Sequence, residues 1–154
     1  MLKKTFILIF FLFVCSCGYQ PIYSKKNIVN TSFSINELKF EGDRSINLRI
    51  KEKLNSYKLV RKDRNFTVII KSNSDRTVIA KNLAGDPTDY QITLTVFAEI
   101  LSKNGKKNSI KIEENFKYNN STNKFNLKRY EKEILNNLAE ISSDKLIFRL
   151  SNIQ

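Results

Sequence analysis

Residues 90–101 alternate between two classes of side chain for twelve consecutive positions. Period two places successive side chains on opposite faces of a strand, so this segment predicts a strand of about 37 Å, longer than most. It is therefore expected to be the central strand of a sheet. The even positions are apolar and the odd positions are mixed: Tyr90, Ile92, Leu94, Val96, Ala98 and Ile100 against Gln91, Thr93, Thr95, Phe97, Glu99 and Leu101.

The first strand and first helix are predicted upstream. Apolar pairs in 33–40 change parity at Asn36-Glu37, which indicates a strand with a bulge or bend. Ser45 is a candidate helix cap, since a serine oxygen can accept from the first free backbone N–H groups. The residues after it recur at helical spacing on one apolar face: Ile46, Ile50, Leu54 and Tyr57.

Two more strands and a hairpin flank the central strand. Residues 66–70 alternate and predict a second strand, which 77–80 can continue, and 81–89 predict a loop. Asn104-Gly105 is the pair that a type I′ hairpin turn favours. Glu114 interrupts the apolar positions of the return strand, and a bulge or a sheet margin would expose it. The apolar positions alternate in a single phase: Ile110, Ile112, Phe116 and Tyr118.

A long final helix completes the domain. Asn123 or Asn126 can start it, and no Gly or Pro interrupts residues 126–151. Its predicted apolar face is Tyr130, Ile134, Leu138 and Ile141, followed by Leu146 and Leu150. The order βαβββα favours an α+β two-layer sandwich, in which a four-stranded, largely antiparallel sheet carries both helices on one face.

The chain begins with an export signal. Two lysines precede an apolar run, Thr5–Cys15, and a small residue follows it. The run is shorter than the roughly 20 apolar residues that a membrane-spanning helix needs. Residues 1–16 are therefore predicted to be a signal peptide.

Cys17 lies where a bacterial lipobox places its acylated cysteine, directly after the small Ser16. The pattern predicts a diacylglycerol thioether and an N-acyl group on Cys17. Cys15 fits badly, because the bulky Val14 precedes it. The alternative is a secreted protein with a disulfide, although two cysteines separated by one residue are poorly placed to bridge.

The processed chain divides into a tether and one domain. Residues 17–32 are predicted to be the lipidated N-terminus and its tether, and residues 33–154 one globular domain. Gly18 lies where lipoproteins of the inner membrane commonly carry Asp, so the outer membrane is expected, with the domain facing the periplasm. Tyr19, Ile22 and Tyr23 are more apolar than a passive linker requires.

Charge and composition exclude several functions. The formal net charge is +12, which would suggest nucleic acid in a cytoplasmic protein. An exported chain instead meets lipid headgroups and lipopolysaccharide, so no nucleic-acid partner is expected. Heavy use of Lys, Asn and Ile explains the charge equally well. With no His, and no free thiol after processing, catalytic triads and His or Cys metal sites are absent, so neither an enzyme nor a cofactor is expected.

Three segments carry a family resemblance: Cys17-Gly18-Tyr19-Gln20-Pro21-Ile22-Tyr23, the strand entry Asp86-Pro87-Thr88-Asp89-Tyr90-Gln91, and the helix start 123–131 followed by 138–141. Together they resemble the LptE family of lipopolysaccharide-assembly lipoproteins in its alphaproteobacterial form. The resemblance covers nearly the whole chain, and the predicted element order matches the family's. The polar segment 119–122 departs from the pattern.

The resemblance implies a role in assembly. LptE occupies the lumen of the outer-membrane barrel LptD as plug and folding aid, and binds lipopolysaccharide. In that family, a basic residue in the loop before the long strand and another at the start of the last helix are implicated in ligand binding. The matching positions are Lys81 and Lys128, with Arg129 and Lys124 as neighbours. The alternative function is a structural accessory lipoprotein of another envelope machine, for barrel assembly or export.

Overall fold

The computed structural model describes residues 32–58 and 62–153. Over these residues it has four strands and two helices in the predicted order, which is confirmed: β1 (Phe33–Gly42), α1 (Arg44–Leu54) with a 3₁₀ turn (Asn55–Lys58), β2 (Arg64–Lys81), β3 (Pro87–Ser102), β4 (Lys107–Asn119) and α2 (Lys124–Ser151). Within the described ranges, neither helix combines the length and hydrophobicity that crossing a membrane requires.

The sheet has the strand order β1-β2-β3-β4. β1 pairs with β2 in parallel, and the other two pairs are antiparallel, so the sheet is mixed and largely antiparallel. The predicted bulge in β1 is confirmed, because the register with β2 shifts between Ile35 and Glu37. Asn36 is the extra residue, which explains why the apolar parity changes there.

Both helices cover one face of the sheet and enclose a single core. The even positions of β3, from Tyr90 to Ile100, are buried against this layer. Hydrogen bonds join the helices side by side, from Arg49 Nε to Asn136 Oδ1 (3.4 Å) and from Lys53 Nζ to Asp144 Oδ1 (3.5 Å). The helices contribute the following buried apolar residues: Ile46, Ile50, Leu54, Leu127, Ile134, Leu138, Ala139, Leu146 and Leu150.

The cap of α1 is Asp43, so the prediction of Ser45 was wrong. Asp43 Oδ1 accepts from Ser45 N (2.8 Å) and Ile46 N (3.2 Å). The preceding Gly42 has φ +92°, and a Cβ there would lie 1.9 Å from the carbonyl oxygen of Ser72. Only glycine permits this close approach of β1 to β2, and the next residue is fixed to the same carbonyl, because Asp43 N donates to Ser72 O (3.2 Å).

The β3–β4 hairpin forms without the predicted type I′ turn. Gly105 N donates to Ser102 O and Ser102 N to Lys106 O, both at 3.0 Å, which closes a three-residue loop. Gly105 has φ +80°, but Asn104 does not have the positive φ that a type I′ turn requires at both central residues. The loop is instead the common three-residue hairpin with glycine in the left-handed position.

The apolar face of α2 was predicted only in part. Ile134 and Leu138 are buried, but Tyr130 and Ile141 are each 44% exposed. Three small residues of the helix are buried although spacing did not select them: Ala139, Ser142 and Ser143. Because α1 packs on one side of α2, the covered stripe is displaced from the one that spacing alone predicts.

Glu114 lies on the same face of β4 as Ile110 and Ile112, the face that the helices cover. The pairing of β3 with β4 continues without a register shift at Leu94 and Glu114. No bulge therefore exposes it, and β4 is the last strand at this margin of the sheet. Its side chain is 15% exposed and pairs with Lys145 Nζ of α2 at 2.5 Å. The ion pair places a carboxylate at the margin of the core with a partner.

Candidate functional site

The candidate site is the end of the sheet where β2 turns into β3 and α2 begins. We call residues 76–90 and 118–131 the tip. All four basic residues that the resemblance implicates lie in these two ranges. The tip is therefore the part of the fold that positions these four residues.

The loop between β2 and β3 spans 82–86, shorter than the predicted 81–89, because β3 begins at Pro87. Asn82 holds it together: its Oδ1 accepts from Ala84 N (3.0 Å) and Asp86 N (2.8 Å), and its backbone N–H donates to Asp86 O (2.9 Å). The loop is therefore ordered by its own side chain. It displays Leu83 fully exposed beside Lys81, the last residue of β2.

The polar segment before α2 fastens the helix start to β3. Asn120 donates from its backbone N–H to Thr88 O and from Nδ2 to Pro87 O, both at 2.7 Å. Lys124 Nζ donates to Asn120 Oδ1 at 3.2 Å, and Asn123 caps the helix. A cleft of about 550 Å³ opens along this contact. Residues 119–122, the departure from the family pattern, thus make structural contacts here.

A shared carboxylate connects α2 to the sheet beneath the tip. Glu131 Oε1 accepts from Arg76 Nη1 (2.9 Å) and from the hydroxyl of Tyr118 (2.6 Å). The Arg76 guanidinium lies 4.5 Å from the centre of the Tyr90 ring, and Tyr118 contacts the rings of Tyr90 and Tyr130. Burial, followed by the bond to Glu131, raises the pKa of Tyr118. The sequence analysis missed this network.

The predicted ligand residues are not gathered into one pocket. Lys81, Lys128 and Arg129 are exposed, and none of them forms a side-chain hydrogen bond or ion pair with another described residue. Lys124 binds the segment before α2. Lys128 lines a cleft of about 320 Å³ between the two helices, which also includes Asp43. The tip therefore offers basic groups spread over a surface.

Exposed apolar side chains accompany these basic residues. Leu83 is fully exposed, Phe125 is 76% exposed, and Val78 and Ile79 are both more than 40% exposed. The sequence analysis did not select them for binding, although an apolar residue inside a polar turn, such as Leu83, was a usable signal. The combination suits a ligand with both anionic and apolar parts.

Metal ligands and the lipidated cysteine complete the predicted site residues. In the described ranges 32–58 and 62–153, no group of three His, Cys, Asp or Glu side chains is placed to hold a metal ion. Cys17, with the rest of 1–31, lies outside the described residues.

Comparison with known proteins shows the fold. No family model and no curated protein matches the chain. It is similar to the crystal structure of a minor lipoprotein from Acinetobacter baumannii, with 15% identity and a TM-score of 0.53 over 75% of this chain and 90% of that one. It is also similar to the solution structure of an uncharacterized lipoprotein B from Nitrosomonas europaea, with 9% identity and a TM-score of 0.52 over 79% and 86%. The chain has the fold of these lipoproteins.

Proposed function

We propose that the chain is an outer-membrane lipoprotein of the LptE type. Anchored by lipid on Cys17, it partners an LptD-type barrel as plug and assembly factor, and binds lipopolysaccharide on its way to the cell surface. The observation that carries the proposal is the tip, where unpaired basic groups stand beside exposed apolar side chains on an ordered frame. The fold shared with bacterial lipoproteins and the lipobox agree with it.

The tip has the chemistry that lipid A demands. Its phosphates require charged donors, and charge-assisted hydrogen bonds to phosphate are strong. Lys81, Lys128 and Arg129 can meet phosphate without first breaking an ion pair to a described residue. Leu83 and Phe125 offer apolar surface to acyl chains, at roughly 25 cal/mol per Å² buried.

The opposite face of the sheet suits a barrel lumen, which is polar in large outer-membrane barrels. It is only partly exposed along β3 and carries charges that pair along and across strands. Lys71 contacts both Glu41 and Glu99 at 3.5 Å, and Lys111 contacts Glu113 at 2.8 Å. These pairs lower the cost of placing this face against a polar interior, because each cation is removed from bulk water together with a carboxylate partner. The role is therefore one of binding and assembly.

Charge reversal at the tip tests the ligand. Lys81→Glu with Lys128→Glu is expected to weaken lipopolysaccharide binding by the processed chain at least about tenfold, because two cations near phosphate become anions. Lys58→Glu with Lys107→Glu is the matched control, since it reverses two exposed lysines outside the tip. Wild-type binding should also fall as salt rises, because exposed charges are screened over about 8 Å at physiological ionic strength.

Two results would count against this role for the tip. Equal binding by the tip double variant and by the control double variant would make the tip lysines ordinary solvated residues. Loss of the barrel complex with normal glycolipid binding would assign them to the protein interface. Circular dichroism establishes that each variant remains folded.

The anchor has its own test. Acyl labelling in cells should disappear in Cys17→Ala and persist in Cys15→Ala, because only Cys17 follows a small residue. Labelling that survives Cys17→Ala would contradict the proposed localisation.

A further inference from the structure

The end of the domain opposite the tip collects several chain ends and turns. Phe33 pairs with Arg64, so β1 and β2 start together, and the hairpin from β3 to β4 turns beside them. α2 ends at the same place, because Arg64 Nη2 donates to Ser151 O (3.1 Å). We call this end the base, and it consists of residues 32–36, 55–58, 62–67, 100–109 and 148–153.

The base is the more cationic end of the domain. Basic residues outnumber acidic ones there by seven to one, whereas at the tip the numbers are five and three. All seven side chains are exposed or partly exposed, so their charges reach solvent. The acidic residue is Asp63, and the basic residues are Lys58, Lys62, Arg64, Lys103, Lys106, Lys107 and Arg149.

Most of this charge is not neutralised within the described residues. The side chains of Lys58, Lys103 and Lys107 form no ion pair with any described carboxylate. Arg64 donates to backbone carbonyl oxygens, among them that of Ser32 (3.1 Å), which carry no net charge. These cations can therefore meet an anionic partner without first giving up a carboxylate.

Three of the cations surround two adjoining clefts. Lys62 and Lys103 line a cleft of about 610 Å³, Arg64 and Lys103 line one of about 440 Å³, and Asp63 lines both. Phe148, in the last turn of α2, adds an aromatic ring that is 69% exposed. Lys and Arg bind headgroup phosphates through charge-assisted hydrogen bonds, and an exposed aromatic ring gains from entering a membrane interface.

The base is also the end at which the chain enters the domain, because Ser32 is the first described residue and Arg64 holds it there. Fifteen residue steps separate Ser32 from Cys17, so the base stays within about 50–54 Å of the predicted lipid anchor. Each Lys or Arg close to an anionic membrane raises affinity by roughly fivefold. An anionic bilayer is thus the partner that best matches both the charge and the position of the base.

We propose that the base binds the anionic phospholipid headgroups of the membrane to which the chain is anchored. Acyl groups alone tether the domain without orienting it, whereas headgroup contacts turn the base toward the membrane and leave the tip free for its own ligand. The inference goes beyond the proposed function, because it requires neither a barrel nor a glycolipid. It gives the positive charge of the base a ligand separate from that of the tip.

Vesicle binding by the processed chain without its acyl groups tests this surface. Residues 17–154 with Cys17→Ala are used, because acyl groups would hold the protein on vesicles of any composition. Flotation measures binding to vesicles of phosphatidylglycerol with phosphatidylcholine, and to vesicles of phosphatidylcholine alone. Binding to the anionic vesicles should be at least about tenfold tighter, and should fall as salt rises.

Two charge reversals of equal size locate the contact. Lys103→Glu with Lys107→Glu should weaken binding to the anionic vesicles at least about tenfold, whereas arginine at both positions should retain it. Lys81→Glu with Lys128→Glu is the matched control at the tip and should change vesicle binding by less than about twofold, because β3 separates the two ends by about 50 Å. Lipopolysaccharide binding should show the opposite pattern.

Three results would overturn the proposal. Equal binding to vesicles with and without phosphatidylglycerol would assign retention to apolar surface. Equal losses in the base and tip double variants would make the attraction a property of net charge alone. Loss of lipopolysaccharide binding in the base variant, with vesicle binding retained, would assign the base to the glycolipid. Circular dichroism establishes that each variant is folded.

Discussion

Glu131→Ala is expected to loosen the contact between α2 and the tip end of the sheet. The Glu131 side chain is only 17% exposed and accepts from both Arg76 and Tyr118. Its removal leaves the hydroxyl of Tyr118, a residue that is 5% exposed, without its acceptor. The loss is therefore mainly that of a buried hydrogen bond to a charged group.

The magnitude follows from these two contacts. A hydrogen bond to a charged group contributes about 1.5–3 kcal/mol. The pair with Arg76, whose side chain is 49% exposed, adds only about 0.2–1 kcal/mol because solvent screens it. Glu131→Ala should thus lower the free energy of unfolding by about 2–4 kcal/mol. For a domain of this size, the melting temperature falls by roughly 3–5 °C per kcal/mol.

The assay is urea and thermal denaturation of the processed chain, followed by far-ultraviolet circular dichroism. Glu131→Gln keeps an acceptor without the charge, so it should cost less than Glu131→Ala. Glu133→Ala is the matched control: it removes an exposed carboxylate of the same helix that pairs with no described residue, and should change stability by less than about 0.5 kcal/mol. Indistinguishable unfolding of Glu131→Ala and Glu133→Ala would refute the role of the network.

Three more outcomes are expected from the same denaturation measurements. Gly42→Ala should lower the free energy of unfolding by more than about 2 kcal/mol, since a Cβ would clash with the β2 backbone. Gly105→Ala, which meets open space, should lower it by only about 1–2 kcal/mol of backbone strain. Equal losses in the two variants would contradict the close approach. Leu94→Ala should lower the free energy of unfolding by about 2–5 kcal/mol, and Leu101→Ala, on the other face of β3, should lower it much less. The reverse order would contradict the assignment of the buried face. The pKa of Tyr118 is raised in the folded state above its unfolded value of about 10, so the hydroxyl's contribution to stability is complete below about pH 10 and is lost as the pH rises further. Tyr118→Phe should therefore reduce the fall of the unfolding free energy at alkaline pH. An unchanged slope of unfolding free energy against pH would contradict the raised pKa.

The spacing of apolar residues, and the points where their alternation changes parity, predicted most of the fold, because both are local properties of the chain. The twelve-residue alternation assigned the buried face of β3 correctly, and the parity change at Asn36 located the bulge. The choice of Asp43 over Ser45 as cap depends on where β1 ends against β2. Asp and Ser are about equally favoured as N-caps, so local preference alone did not decide between them.

The site was less predictable, because its contacts join residues far apart in the chain. Arg76 and Glu131 are 55 residues apart in sequence, and no spacing rule connects them. The exposure of Tyr130 follows from where α1 and β4 cover α2, which is a tertiary property. The basic residues were predicted through resemblance to a family. Their spread over a surface, with Lys128 in the cleft between the helices, depends on packing.

The most direct test of the proposed role is affinity capture of the lipidated protein from cells that produce it, with its bound proteins and lipids identified by mass spectrometry. The expected result is a large outer-membrane barrel together with lipopolysaccharide. Glycolipid, but not the barrel, should decrease when Lys81 and Lys128 are both changed to Glu. Capture of a different envelope machine, without a barrel partner or lipopolysaccharide, would contradict the proposal.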